Sequence, residues 1–225
     1  MKTTQTLGIL AFTLAIMTTL FLVLFITDMA SAGPLDTFGQ VLAHVSRQSW
    51  LSLVAYANVT LLTAVATIFF AGLYVYCRAD APLASAAAVI FVPVYSVFNF
   101  FAYFSQITVI PRMLELHHMP EYQAMASFWL RQLLQTGPGS AVSIFNNFAY
   151  AILGIPSIIF GVLLYRMYPS ARLGALLFAL SGVASMLGII GFVVDSALLS
   201  WGSMVGAVFF LLSLPPLGWS FWRQP

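Results

Sequence analysis

Two stretches of the sequence repeat a polar pattern within strongly apolar surroundings. They are SVFNFFAY at residues 96–103 and SIFNNFAY at residues 143–150. In each stretch Ser, Asn and Tyr have the spacing i, i+3, i+7, which places the three side chains on one face of a helix. Such a face can bond a neighbouring helix or hold the polar part of a ligand. The residues are Ser96, Asn99 and Tyr103, and Ser143, Asn146 and Tyr150.

Other polar residues extend these two faces into a predicted ligand-binding set. If both stretches lie in helices that span a membrane, a rise of 1.5 Å per residue places Asn99 and Asn146 at the same depth, about 10 Å below the outer surface of that membrane. A polar cavity open to the outside explains why the amides favour one end of the helices, whereas bonding between helices alone does not. The predicted ligand-binding residues are Asn58, Tyr95, Asn99, Tyr103, Gln106, Asn146, Asn147 and Tyr150.

Four ionisable residues are candidates for acid/base chemistry, two at the outer ends of predicted helices and two in a predicted outer loop. A carboxylate or imidazole within a desolvated cavity can donate or remove a proton. The alternative to a chemical role is that Arg112 pairs with Glu115 in a solvated loop and that Asp195 is an ordinary turn residue. The candidates are Asp28, Glu115, His118 and Asp195.

Metal or cofactor chemistry has little support in the sequence. Glu115 and His118 have the spacing of a di-iron Glu-x-x-His element, but that site needs a second such element on a facing helix. His117 and His118 point about 100° apart on a helix, so they do not jointly hold one ion. Cys77 is the only cysteine and lies in no CxxC motif. We therefore expect no metal and no cofactor.

The composition places these residues in a membrane protein. Of the 225 residues, 61% are hydrophobic and only 6% are charged, whereas soluble domains carry about 25% charged residues. The net charge of +2 comes from scattered residues, so nucleic-acid binding is not predicted. Apolar runs of about 20 residues span a bilayer as helices. Six are predicted, at residues 8–29, 50–76, 83–106, 140–165, 173–194 and 197–222.

The distribution of basic residues predicts cytoplasmic termini in the cell membrane. Lys2, Arg78, Arg166, Arg172 and Arg223 fall on one side, against Arg47, Arg112 and Arg131 on the other. Because basic residues favour the cytoplasmic side, the larger group is assigned there. The first apolar run is longer than that of a cleaved signal peptide, so we expect it to be retained.

Two long connections lie outside in this orientation, and each contains an amphipathic helix, at residues 35–48 and 121–135. In the first, the predicted apolar stripe faces away from Gln40, His44 and Arg47. Gly137 and Pro138 are expected to end the second. Either helix can cap the bundle or lie at the headgroup level. The predicted stripes are Leu35, Phe38, Leu42 and Val45, and Tyr122, Met125, Trp129 and Leu133.

Small and helix-breaking residues make further predictions about packing. Pro93 and Pro156 are expected to bend the third and fourth spans. The sequence GSMVG at residues 202–206 is a GxxxG motif, which favours close helix packing inside the bundle.

The predicted fold is thus one all-α membrane domain over residues 1–225, a six-helix bundle with two interfacial helices on the extracytoplasmic side. Three functions remain open. The first is binding or transport of a small amphipathic or lipid-like molecule in the outer-leaflet cavity. The second is a membrane-embedded acid/base enzyme acting on a lipidic substrate, such as an isomerase, cyclase or hydrolase. The third is a structural or regulatory subunit whose amides bond one another and leave no cavity. Membrane lipid is the expected partner, and nothing in the sequence supports an oligomer.

Overall fold

The chain forms helices, and six helical segments are long and apolar enough to cross a membrane, as predicted. The computed structural model describes residues 3–137 and 139–223. Helix makes up 85% of the structure, with no strand in those described ranges. In chain order the helices are α1 (Thr3–Ala32), α2 (Phe38–Val45), α3 (Trp50–Cys77), α4 (Pro82–Val89), α5 (Val92–His117), α6 (Gln123–Leu133), α7 (Ala141–Met167), α8 (Arg172–Val193), α9 (Ala197–Ser200) and α10 (Gly202–Trp222).

The six segments are α1, α3, α4 with α5, α7, the 3₁₀ turn Pro169–Ala171 with α8, and α9 with α10. Local signals account for several of their ends. Gly33 follows α1 with a φ of 74°, the left-handed conformation in which helices commonly terminate. Lys2, used in the orientation prediction, and Pro138, expected to end the second amphipathic helix, lie outside the described residues.

The third span differs from its predicted bounds of 83–106. The helix is interrupted after Val89, where α4 ends, and α5 starts at Val92. Pro93 therefore stands in the first turn of a new helix, where its missing N–H and fixed φ are tolerated. At the other end α5 continues through Pro111 to His117, over residues expected to form a loop. Ile110 and Leu114 on this extension are buried in an apolar cluster, and that burial offsets the backbone bond that Pro111 cannot make.

The chain divides into two compact units. The first unit comprises the described residues of 1–18, 62–97 and 147–225, and the second comprises 19–61 and 98–146. A single membrane domain over the whole chain stays a prediction.

Glycine and serine set the helix packing in the first unit. A Cβ added to Gly154 would lie 2.7 Å from the carbonyl oxygen of Gly182, so α7 and α8 approach at backbone distance. Gly202 and Gly206, the two glycines of GSMVG, contact α8 in the same way, the second against Ser185. The GxxxG motif thus packs helices within one chain, as predicted. Small residues allow this approach, which dispersion and close packing stabilise.

The second unit is built around an apolar cluster that joins α2, α5 and α6. Val41, Ile110, Leu114, Leu130 and Leu134 form its buried centre. The predicted stripe of the first amphipathic helix packs against this centre in half-buried positions.

Three of the four residues in the stripe predicted for the second amphipathic helix face away from the apolar cluster, and the interfacial position of this helix stays a prediction. Tyr122, Met125 and Trp129 are exposed, whereas Ala126 and Leu130 form the buried face of α6. The hydrophobic pattern is ambiguous here because apolar side chains occupy both faces, and the smaller Ala126 permits the closer approach.

Candidate functional site

Asp28, near the end of α1, is almost fully buried, with 2% of its side chain exposed. Its Oδ2 atom lies 3.1 Å from Nε2 of His44 and accepts a hydrogen bond of 2.5 Å from the Ser52 hydroxyl. The His44 side chain is 5% exposed. A buried carboxylate is stable only with such partners. Asp28 therefore joins three helices, α1, α2 and α3.

Local sequence signals hold His44 in this position. The Thr37 hydroxyl accepts from the Gln40 N–H, and the Gln40 side chain accepts from the Thr37 N–H, so α2 begins with a complete capping box. Val41 and His44 are the two buried residues of this helix, and their i, i+3 spacing places both on one face. Gln48 then adopts a φ of 45° in the turn before α3. The prediction that placed His44 on the polar, outward face of α2 is thus wrong, because Asp28 supplies a buried partner for its ring.

A cavity of about 220 Å³ lies beside the Asp28–His44 pair. Pockets that bind small molecules combine apolar walls with a few polar groups, and this cavity has both. Its polar walls, besides Asp28, His44 and Ser52, are Gln48, Ser49, Tyr56, Gln106 and Thr136. Its apolar walls include Met29, Leu53, Ile110, Pro111 and Leu114.

Two fully buried atoms of the Asp28–His44 pair have no hydrogen-bond partner in the protein. They are Oδ1 of Asp28 and Nδ1 of His44. Buried polar atoms are nearly always paired, so exceptions call for an explanation. Oδ2 accepts from Ser52 and lies 3.1 Å from Nε2 of His44, so the pair uses one oxygen and one ring nitrogen and leaves Oδ1 and Nδ1 without a partner in the protein.

The geometry does not match a nucleophilic serine triad. In such a triad the histidine receives the serine proton and the carboxylate holds the opposite ring nitrogen. Here the Ser52 hydroxyl donates to Asp28 instead. The arrangement brings a carboxylate and an imidazole, two groups that take part in hydrogen bonding and proton transfer, to the wall of one cavity.

The repeated amide pattern forms a closed network in the second unit. Asn99 Nδ2 donates to Asn146 Oδ1 at 3.0 Å, and Asn146 Nδ2 donates to the Tyr103 hydroxyl at 3.0 Å. All three side chains are buried. The Tyr103 ring centroid lies 6.2 Å from that of Tyr56, a cavity wall. The network thus adjoins the cavity through Tyr56, but its own three residues are not among the cavity walls.

Gln106 is the one predicted ligand-binding residue that lines the cavity. Its side chain also clamps the end of α6, donating to the Leu133 carbonyl at 2.8 Å and accepting from the Gln135 N–H at 3.1 Å. These bonds satisfy backbone groups that the helix end leaves unpaired. Gln106 therefore positions α6 against the cavity.

The remaining predicted ligand-binding residues occupy other places. Asn58 is buried in the second unit. In the first unit Tyr95 is buried, Asn147 and Tyr150 are half-buried, and the Tyr95 and Tyr150 ring centroids are 6.2 Å apart.

The other acid/base candidates are exposed. Glu115 forms an ion pair with Arg112 at 2.6 Å, as in the solvated alternative, and His118 is exposed at the end of α5. Asp195 is exposed in the turn after α8 with a φ of 51°, a conformation that Asp tolerates better than most residues. Of the four candidates, only Asp28 lies at the cavity described here.

Sequence reasoning missed His44 and Ser52 as partners of Asp28. The signal was present in part: His44 lies three residues after the apolar Val41 on a short capped helix. A carboxylate in an apolar helix also needs a partner from another segment. Pairing the two requires knowing that the chain turns back between α1 and α3.

Comparisons with protein-family models, with curated proteins and with solved structures found no match to this chain. The interpretation of the site therefore rests on its own geometry.

Proposed function

We propose that this chain is a multi-pass protein of the cell membrane that binds or transports a small amphipathic molecule in the cavity beside Asp28. The observation that carries the proposal is the buried Asp28–His44 pair, which lines a cavity with apolar walls. Ionisable side chains within apolar helices usually mark a functional site. A ligand with a polar end and an apolar body matches both kinds of wall.

The orientation proposed from the basic residues places this cavity in the outer leaflet. Asp28 lies toward the end of α1 and Ser52 at the start of α3, so both belong to the end of the bundle assigned to the outside. Met125, Phe128 and Trp129 are exposed on α6 at the same end of the second unit. Exposed aromatic and apolar side chains favour contact with membrane lipid at the interface.

Two engineered cysteines test the orientation. Ala79 and Asp195 are exposed in turns between long helices, and the natural Cys77 is buried. A membrane-impermeant maleimide added to intact cells should label Asp195→Cys but not Ala79→Cys, with the wild type as the background control. The opposite pattern would reverse the assigned topology.

A cavity-filling substitution tests ligand binding. Leu53 lines the cavity, yet 54% of its side chain is exposed, so a larger residue has room to be accommodated. Leu61, also on α3 and 62% exposed, is not a cavity wall. We expect hexanol binding, measured by titration calorimetry in nanodiscs against empty discs, to be lost in Leu53→Trp and kept in Leu61→Trp. Equal binding in both variants would refute the proposal.

A second candidate function is acid/base catalysis on a lipidic substrate. The observation in its favour is His44, whose ring is fixed by Asp28 through Nε2 while Nδ1 has no partner. This is how a carboxylate orients a histidine base in many enzymes. A chemical change in co-purified lipid that depends on His44 would favour catalysis over simple binding.

The third function is a structural subunit, for which we expect amides that bond one another and leave no cavity. The amides do bond one another, and a cavity lies elsewhere in the same unit.

A further inference from the structure

Building on the proposed binding function, we infer that the cavity selects a ligand whose polar end is a protonated amine. The inference starts from the charges at the cavity. Asp28 is the only residue with an ordinarily ionised side chain among its walls, and neither Lys nor Arg is present there. The other titratable walls are His44 and Tyr56. Arg47 is close in sequence but exposed and not a cavity wall.

The hydrogen-bonding state of the pair determines what a ligand must supply. Asp28 Oδ2 accepts from the Ser52 hydroxyl and lies 3.1 Å from His44 Nε2, whereas Oδ1 has no partner in the protein. The cavity therefore offers a ligand a carboxylate that has no Lys or Arg side chain beside it among the walls.

A primary ammonium group matches this wall. It carries one positive charge, opposite to that of a carboxylate, and three N–H donors. Hydrogen bonds between ionised groups are also about twice as strong as neutral ones. A hydroxyl offers only one donor and no charge. A carboxylate or phosphate would meet the Asp28 charge without any cationic side chain to offset it.

The size and walls of the cavity limit the ligand's body. Its volume is about 220 Å³, and for comparison an apolar protein cavity of about 150 Å³ holds benzene. Met29, Leu53 and Ile110 provide apolar contact. A short alkyl chain attached to the amine therefore fits. The same ammonium chemistry is available from a free amine or from the headgroup of an aminophospholipid.

Four hexyl compounds that differ only in their polar end test the inference. Hexylamine, hexanol, hexanoate and hexyltrimethylammonium are titrated at pH 7 against the protein in phosphatidylcholine nanodiscs, with empty discs as the background. Hexylamine should bind about tenfold more tightly than hexanol, and hexanoate should show no binding above the background. Hexyltrimethylammonium has the charge but no N–H donor, so it should bind more weakly than hexylamine.

The substitution Asp28→Asn should bring the affinities for hexylamine and hexanol within about threefold of each other, because the charge is gone. Asp195→Asn, the same change at an exposed turn, is the matched control and should leave the preference unchanged. If Asp28→Asn fails to fold, the four wild-type titrations decide the inference alone. A second series in discs containing phosphatidylethanolamine identifies the source. Weaker apparent hexylamine binding there supports a lipid headgroup, and unchanged binding supports a free amine.

The two proposals fail in distinguishable ways. Hexanol binding without a preference for hexylamine overturns amine selection and leaves the proposed binding function standing. Tighter binding of hexanoate overturns amine selection as well. Absence of binding by all four compounds overturns both proposals.

Discussion

The bond between Asp28 and His44 should contribute strongly to stability because it is buried. The 3.1 Å contact joins a carboxylate and an imidazole that are 2% and 5% exposed. Buried hydrogen bonds to charged groups contribute about 1.5–3 kcal/mol. A double-mutant cycle with Asp28→Asn and His44→Leu should therefore give a coupling energy of about 2 kcal/mol. Equilibrium unfolding in mixed dodecyl maltoside and SDS micelles, followed by circular dichroism, measures each free energy of unfolding.

The chain contains a matched control for this cycle. Arg112 and Glu115 form an ion pair at 2.6 Å, but their side chains are 64% and 58% exposed. Exposed pairs are screened by solvent, and helical i, i+3 or i+4 pairs contribute about 0.5 kcal/mol at most. The cycle of Arg112→Ala with Glu115→Ala should stay at that level. If the Asp28–His44 coupling is no larger than that of this exposed pair, the argument that burial strengthens the bond is refuted.

Five further variants test the packing, the amide network and the helix cap. In α8, Gly182→Ala should destabilise the protein by about 1–3 kcal/mol because the added methyl group meets the backbone of α7. Gly39→Ala is the matched control: this glycine has open space around it, so the change should be neutral or stabilising by up to about 1 kcal/mol. Asn146→Ala should lower the unfolding free energy by about 1–2 kcal/mol since it breaks two bonds, and Tyr103→Phe, which breaks one of them, should lower it by less. Thr37→Ala should cost about 1 kcal/mol through loss of the capping box. The same unfolding assay measures all five variants; equal effects of the two glycine changes, or of the two amide-network changes, would contradict the packing described here.

The number of long helices could be predicted because length and apolarity act locally. A run of about 20 apolar residues is helical wherever its backbone must bond internally. The bounds were less predictable where tertiary contacts compete with local preference. Pro93 was expected to bend a helix and instead starts one, while α5 passes through Pro111 because Ile110 and Leu114 are buried beyond it.

The site was only partly predictable, since its members come from distant segments. The i, i+3, i+7 spacing identified one face of α5 that includes Asn99 and Tyr103, and Asn99 does bond Asn146. No periodic pattern relates Asp28 to His44, which are brought together by the turn between α1 and α2 and by the burial of Val41. Short helices such as α2 carry too few residues for their inward face to be read from sequence alone.

The two sets of polar groups in the second unit differ less in residue type than in whether each polar atom has a hydrogen-bond partner in the protein. Asn99, Asn146 and Tyr103 direct their side-chain atoms at one another, which holds helices together in apolar surroundings. Asp28 and His44 use one atom each for their mutual bond, have another without a partner in the protein, and line the cavity. Closed networks gain nothing from a ligand, whereas a buried polar atom without a partner is stabilised when one arrives. The function we propose therefore follows from the atoms that the fold leaves unpaired, and these belong to Asp28 and His44 instead of the repeated amides.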